Sequence, residues 1–369
     1  MERPQKIVSL QGMRAVAALA IAFSHFHHQY VQKPGDTTFG VLGFGVDIFF
    51  VISGFIMMHL SFDKFGSLAN SADFLIRRLI RIVPLYWFCT CIYAAYLYRI
   101  QTFEVARVTW EHLCLSLLFY PHVSPIGSTY PFLNVGWTLN YEMFFYLCFA
   151  AALLAPRRVG VALLICGFVA LAYFARRGLP MPWAFLGNPI IFAFLLGVGL
   201  AVANRHLPRI SLPLCLAIIA AAGTLAAAAY FSPSFTGDSR VYTWGPCAAA
   251  AVAAAMLYEG KLPGWVETTM VVLGDSSYAI YLIHTVLLFI GLYAVAWLHA
   301  YHQIVIPTQN WWFLSFMMAL TITLSIAIHY LLDLPVQRGL LALFRRKNRD
   351  AVEAGRAVAA VPGTTTESA

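Results

Sequence analysis

Residues 276–332 read SSYAIYLIHTVLLFIGLYAVAWLHAYHQIVIPTQNWWFLSFMMALTITLSIAIHYLL, 57 positions without one Asp, Glu, Lys or Arg. A helix crosses a bilayer with about 20 mostly apolar residues, so this run is too long for one span and long enough for two. It divides at 299–310, HAYHQIVIPTQN, where polar side chains and Pro307 signal a turn. That reading gives spans at 275–298 and 311–333. Working outward, residues 178–204, 210–237 and 241–258 also carry none of the four charged types. The expected fold is all-α, a polytopic membrane bundle of about ten transmembrane helices. They fall near 7–28, 40–60, 76–98, 136–155, 159–175, 186–203, 210–231, 242–258, 275–298 and 311–333. A weaker apolar stretch at 109–121 reads as interfacial or re-entrant, and an eleventh crossing there would invert everything downstream.

Composition agrees. Of 369 residues, 60% are hydrophobic and 11% charged, against roughly 25% charged in an average soluble domain. Mean hydropathy is +0.73. A two-domain soluble protein and a disordered chain are both excluded. The net charge of +8 raises nucleic-acid binding, but the placement of the basic residues answers it. With the N-terminus cytoplasmic, inner segments hold 17 of the 24 basic residues and outer segments 6, with Arg14 inside a helix. That asymmetry places both termini in the cytoplasm and needs no nucleic-acid partner. The first helix is too long and too polar at its start for a cleaved signal peptide. Residues 1–340 read as one membrane domain and 341–369 as a basic cytoplasmic tail, disordered from Asp350 onward. The seven cysteines form no CxxC pair and read as small apolar packing residues.

Ionisable groups inside hydrocarbon are costly unless paired or hydrated, so each is a functional candidate. Arg14 and His25 are eleven residues apart, which sets them within about 20° of one helix face and ~16 Å apart along it. They line one stripe without touching. The bland alternatives are an arginine snorkelling to the inner surface and an interfacial histidine. His25, His27 and His28 do not share a face, which argues against a metal site. By helix depth, Asp47 and Glu142 fall in the same outer layer as His25, where a carboxylate would orient the imidazole. Asp47 also reads as a helix-packing group. Arg77, Arg78 and Arg81 are either a positive-inside anchor or a clamp for phosphate. Asp275 and Ser276 read as helix N-caps. Tyr278, Tyr281 and His284 recur every third residue and share a face, as packing or as part of a site.

Five segments in this order resemble a known family: LQGMRAVAALAIAFSHF (10–26), GVDIFFVISGFIM (45–57), RRLIRIVPLYW (77–87), GWTLNYEMFFY (136–146) and SYAIYLIH (277–284). Over residues 6–340 the chain resembles the integral-membrane acyltransferase family 3, and within it the stand-alone exopolysaccharide acetyltransferases. The resemblance implies that Arg14 and His25 are the essential pair, with functional roles for the Phe49–Gly54 segment (Ser53 included), Arg78, Arg81 and Glu142. Trp137, Tyr281 and His284 lie in its motifs and join Arg77, Arg78, Arg81, Asp47 and Ser53 as candidate donor- or substrate-binding residues. Where the family often ends its last helix with Glu-x-Pro, this chain has Asp333-Leu334-Pro335.

The expected activity is O-acyl transfer in the bacterial inner membrane. The donor is cytoplasmic acyl-CoA, with acetyl-CoA favoured, and no permanently bound cofactor is needed. The acceptor is a hydroxyl of a cell-surface polysaccharide or its lipid-linked precursor. His25 acts as base and Arg14 in donor binding. Two rivals are a transporter or flippase for a glycan or lipid-linked sugar, which makes no chemical product, and a non-catalytic partner in polysaccharide assembly, which tolerates loss of Arg14 and His25.

Overall fold

The computed structural model describes residues 7–33, 35–99, 109–258 and 260–359, with only the backbone described beyond 346. Arg3, Lys6 and Arg107 of the charge count, and residues 360–369, lie outside the described residues. The chain folds as helices: α1 (Val8–Tyr30), α2 (Gly45–Ser61), α3 (Leu68–Arg99), α4 (Trp110–Leu117), α5 (Trp137–Ala152), α6 (Arg157–Ala175), α7 (Phe192–Ala203), α8 (Leu212–Tyr230), α9 (Arg240–Leu257), α10 (Gly264–Asp275), α11 (Ser277–His302), α12 (Trp311–Ile328) and α13 (Leu334–Ala359). A 3-10 segment, Thr38–Phe44, leads into α2. Among the described residues there is no strand, only an isolated bridge between Ile210 and Tyr258.

Each expected span corresponds to a helix, and the structure supports a polytopic helical bundle. Among the described residues, six helical stretches are long and apolar enough to cross a membrane: Thr38–Ser61, Leu68–Arg99, Arg157–Ala175, Leu212–Tyr230, Ser277–His302 and Trp311–Arg346. The other four expected spans, α1, α5, α7 and α9, are shorter or less apolar. α5 and α7 are short, of 16 and 12 residues, and position explains α1. α1 buries Ala15, Ala17, Ala18 and Ala22 among its neighbours, and a helix that faces protein on most sides can carry polar groups. α6 and α8 do the reverse, with only 22% and 17% of their most apolar windows buried. Close approach at the centre depends on small residues. Gly54 of α2 lies against the Phe194 carbonyl, and Gly197 of α7 against that of Val51, with no room for a Cβ at either.

Several boundaries differ from the expectation. α4 has eight residues, roughly 12 Å of helix, which is too short to cross. α10 was not expected. The turn between the last two spans begins after His302. The final helix does not stop at residue 333. It passes through a π-helical segment, His329–Asp333, and runs on to Ala359, past the point where disorder is expected. Asp333 is buried there, accepting from Gln337 Nε2 at 2.8 Å and pairing with His329 Nδ1 at 3.0 Å.

Candidate active site

A cavity, partly open to solvent, runs between α1, α2, α3, α5 and α11. Helical periodicity explains which side chains reach it. On α3, Phe74, Arg78, Arg81, Ile82 and Leu85 form one stripe. Arg78 and Arg81 therefore line the cavity, while Arg77, about 100° away, pairs instead with Asp73 through two 2.7 Å hydrogen bonds. On α2, Val46, Phe49, Phe50, Ser53, Ile56 and Met57 make the matching stripe.

One end is cationic. Arg14 is 8% exposed and donates to Gln11 Oε1 at 3.0 Å, and Gln11 Nε2 donates to Asp275 Oδ1 at 3.0 Å. Asp275 thus orients Arg14 through Gln11. The expected N-caps are not made: Asp275 ends α10, and no Ser276 side-chain cap forms. The Arg78 guanidinium lies over the Phe74 ring at 5.7 Å, and its Nε has no protein partner. Glu142 takes its hydrogen bonds from Ser53 at 3.1 Å and from the Tyr146 hydroxyl, not from an arginine. Three guanidiniums thus line this space with one carboxyl group, Glu142, and a second, Asp275, reaches Arg14 through Gln11. Cationic excess of this kind is unfavourable in apolar surroundings without an anion.

The opposite end is neutral. The Tyr281 hydroxyl is 2.9 Å from Thr138 Oγ1, and both lie within reach of the Val135 carbonyl, at 3.0 and 3.1 Å. Phe49 packs edge-on against Tyr281. Just beyond, the Tyr281 ring lies 6.0 Å from that of His284, whose Nε2 is 2.8 Å from His25 Nδ1. Donor accounting sets the protons of this pair. His284 Nδ1 is 3.0 Å from the Ile280 carbonyl, which can only accept, so Nδ1 carries the hydrogen. Nε2 of neutral His284 is then an acceptor. It receives Thr285 Oγ1 at 3.2 Å and the Nδ1 hydrogen of His25. His25 is left with an unprotonated Nε2. His284 is fully buried, whereas His25 is exposed, so the basic nitrogen belongs to the accessible ring.

The expected layer of His25, Asp47 and Glu142 does not form. Asp47 is fully buried and bound by Arg240 at 2.9 and 2.6 Å. Arg240 also reaches the Gly43 carbonyl at 2.7 Å and stacks on Trp244 at 4.6 Å. Asp47 and Ser53 are six residues apart, about 120° around α2, so only Ser53 faces Glu142. Shared depth did not mean a shared face, and Asp47 ties α2 to α9. Trp137 is also outside the cavity lining, edge-on to Tyr141. His27 packs on Phe39 and Trp311, and His28 bonds Gln32, so the three histidines of α1 diverge. The site residues that sequence reading passed over are Gln11, Thr138, Tyr146 and Asp275. Tyr146 follows Glu142 by four residues and Gln11 precedes Arg14 by three, spacings that set neighbours on one helix face.

A family model described as an acyltransferase domain matches residues 7–330. The exopolysaccharide production protein ExoZ of Rhizobium meliloti (strain 1021) is 33% identical over 261 residues, covering 65% of this chain and 75% of that protein. Protein 2 in the picA locus of Rhizobium radiobacter is 32% identical over 94 residues, covering 25% of this chain and 47% of its own length. No solved structure gives a significant match.

Proposed function

Because the chain belongs to the integral-membrane acyltransferase family 3, and is accordingly an O-acyltransferase, we propose that it moves an acetyl group from cytoplasmic acetyl-CoA to a hydroxyl of an exopolysaccharide or its lipid-linked precursor. It does so from the bacterial inner membrane, through about ten spans with both termini cytoplasmic. The acceptor class rests on the name of the similar exopolysaccharide production protein. One observation carries the reading: α1 is continuous from Val8 to Tyr30 and joins the arginine end of the cavity to His25, an exposed residue. The spacing of Arg14 and His25, ~16 Å, suits a donor with phosphates at one end and a thioester at the other.

In this mechanism Arg14, Arg78 and Arg81 bind the donor's phosphates. Its amide-containing arm runs past Ser53, Glu142 and Tyr146, which offer hydrogen-bond partners along an otherwise apolar wall. His25 Nε2 takes the proton of the acceptor hydroxyl as the sugar oxygen attacks the thioester carbon. The C–S bond then breaks, and the thiolate takes that proton back from the imidazolium. The products are an acetyl ester and free CoA. His284 touches neither substrate. It holds His25 in the tautomer that leaves Nε2 free, and is a positioning residue.

The purified protein, given radiolabelled acetyl-CoA and exopolysaccharide from a strain lacking the gene, is expected to make labelled polysaccharide and release CoA. Arg78→Ala is expected to raise the KM for acetyl-CoA about 10–100-fold, the scale of one lost charged hydrogen-bond partner, with kcat changed little. Saccharide movement without an acetyl ester would mean transport and would overturn this reading.

A further inference from the structure

Attack on a thioester puts negative charge on its carbonyl oxygen, and acyl-transfer sites answer that charge with preorganised donors. The arginines are poorly placed for it, because Arg14 lies ~16 Å along α1 from His25. At the Tyr281 end of the cavity, which His25 and His284 adjoin without lining it, Phe49 and Val46 are apolar, and the Thr285 hydroxyl is directed at His284 Nε2. Two donors remain, Thr138 and Tyr281. Thr138 lies one turn from Glu142 on α5, on the side away from Tyr146. Tyr281 lies one turn from Tyr278 on α11, toward His284.

Their hydroxyls and the Val135 carbonyl form a triangle of oxygens at 2.9, 3.0 and 3.1 Å. Three contacts share two protons, so one contact is always without a hydrogen. Either hydroxyl can therefore turn its proton toward a third oxygen while the Val135 carbonyl keeps the other. The set is buried and rigid, with Thr138 5% and Tyr281 6% exposed, and Phe49 against the Tyr281 ring.

We propose that the Thr138 and Tyr281 hydroxyls form the oxyanion site, accepting the thioester oxygen beside the His25–His284 pair. This rests on the acetyl-transfer reading above. As the sugar oxygen bonds to the thioester carbon and its proton passes to His25 Nε2, the C=O pair moves onto oxygen. One of the two hydroxyls turns its hydrogen to that oxygen while the other keeps its bond to the Val135 carbonyl, and neither gives up its proton. The pair returns to re-form C=O as the C–S bond breaks, and the leaving sulfur takes the proton from His25. Both residues contact the reacting group and are catalytic in this sense.

The test uses the full chain in detergent, acetyl-CoA as donor and exopolysaccharide from the deletion strain as acceptor. Thr138→Val and Tyr281→Phe are each expected to lower kcat about 10–100-fold and to leave the KM for acetyl-CoA within about twofold, because the effect belongs to the transition state. Thr138→Ser, which keeps the hydroxyl, is expected to restore most of the loss. With 13C-carbonyl acetyl-CoA bound, the carbonyl stretch is expected at higher wavenumber in Thr138→Val and Tyr281→Phe than in the unsubstituted protein. Wild-type turnover in both variants, a loss entirely in KM, or a Thr138→Ser protein as slow as Thr138→Val would overturn the assignment. If those variants keep full turnover while His25→Ala has none, the oxyanion assignment alone fails. If the unsubstituted protein transfers no acetyl group, the acetyl-transfer reading fails and takes this proposal with it.

Discussion

His25→Ala is expected to lower acetyl transfer by about 10³–10⁴-fold, the upper part of the range for loss of a positioned general base, with little change in acetyl-CoA binding. The reasons are geometric. The Ile280 carbonyl claims the Nδ1 hydrogen of His284, and His284 Nε2 claims that of His25, so Nε2 of His25 is the lone pair left over. Neither Asp47 nor Glu142 stands ready to replace it, because Asp47 is bound by Arg240 and Glu142 by Ser53 and Tyr146. Steady-state transfer rates and equilibrium binding of acetyl-CoA measure the two halves of the expectation. Turnover above about a tenth of wild type would remove His25 from the role of base.

Arg240→Met is expected to destabilise the fold by about 3–5 kcal/mol. It strips the partner from a buried carboxylate, and an unpaired buried charge costs far more than the pair contributes. Asp47 is fully buried, and its Oδ1 has no partner even with Arg240 present. Replacing both residues, Asp47→Leu with Arg240→Met, is expected to recover most of the loss, since an apolar pair needs no counter-charge. Unfolding in mixed micelles titrated with a denaturing detergent, read for both single variants and the double, gives the coupling. Arg240→Met within about 1 kcal/mol of wild type would show that Asp47 has other support. An acetyl-transfer defect at unchanged stability would return Asp47 to the reaction.

The helices were legible because hydrocarbon imposes a length and a polarity on whatever spans it, and the charge-free run at 276–332 meets both. α1, α5, α7 and α9 show where that logic weakens. α5, of 16 residues, and α7, of 12, are short, while α1 is packed against other helices and so can carry polar groups. The arginine stripe of α3 was legible for a similar reason: residues 78 and 81 share a face by spacing alone. What spacing does not reveal is which face meets which neighbour. Helix position sets Asp47 and His25 at similar expected depths, yet Asp47 meets Arg240 of α9 and His25 meets His284 of α11. The Asp275–Gln11–Arg14 chain joins residues 264 positions apart, a pairing set by tertiary packing with no local trace. The polar group expected to orient His25 was a carboxylate, and the structure supplies a second imidazole backed by a main-chain carbonyl.

The claim that α1 joins a donor site on one face of the membrane to a base open to the other is tested most directly by sided transfer. Inner-membrane vesicles turned inside out expose the cytoplasmic face, so labelled acetyl-CoA is supplied outside and exopolysaccharide from the deletion strain is sealed in the lumen. Labelled ester is expected on the lumenal polysaccharide, and is expected to be lost with Arg14→Ala or His25→Ala. Label confined to polysaccharide added on the same side as acetyl-CoA would contradict the account.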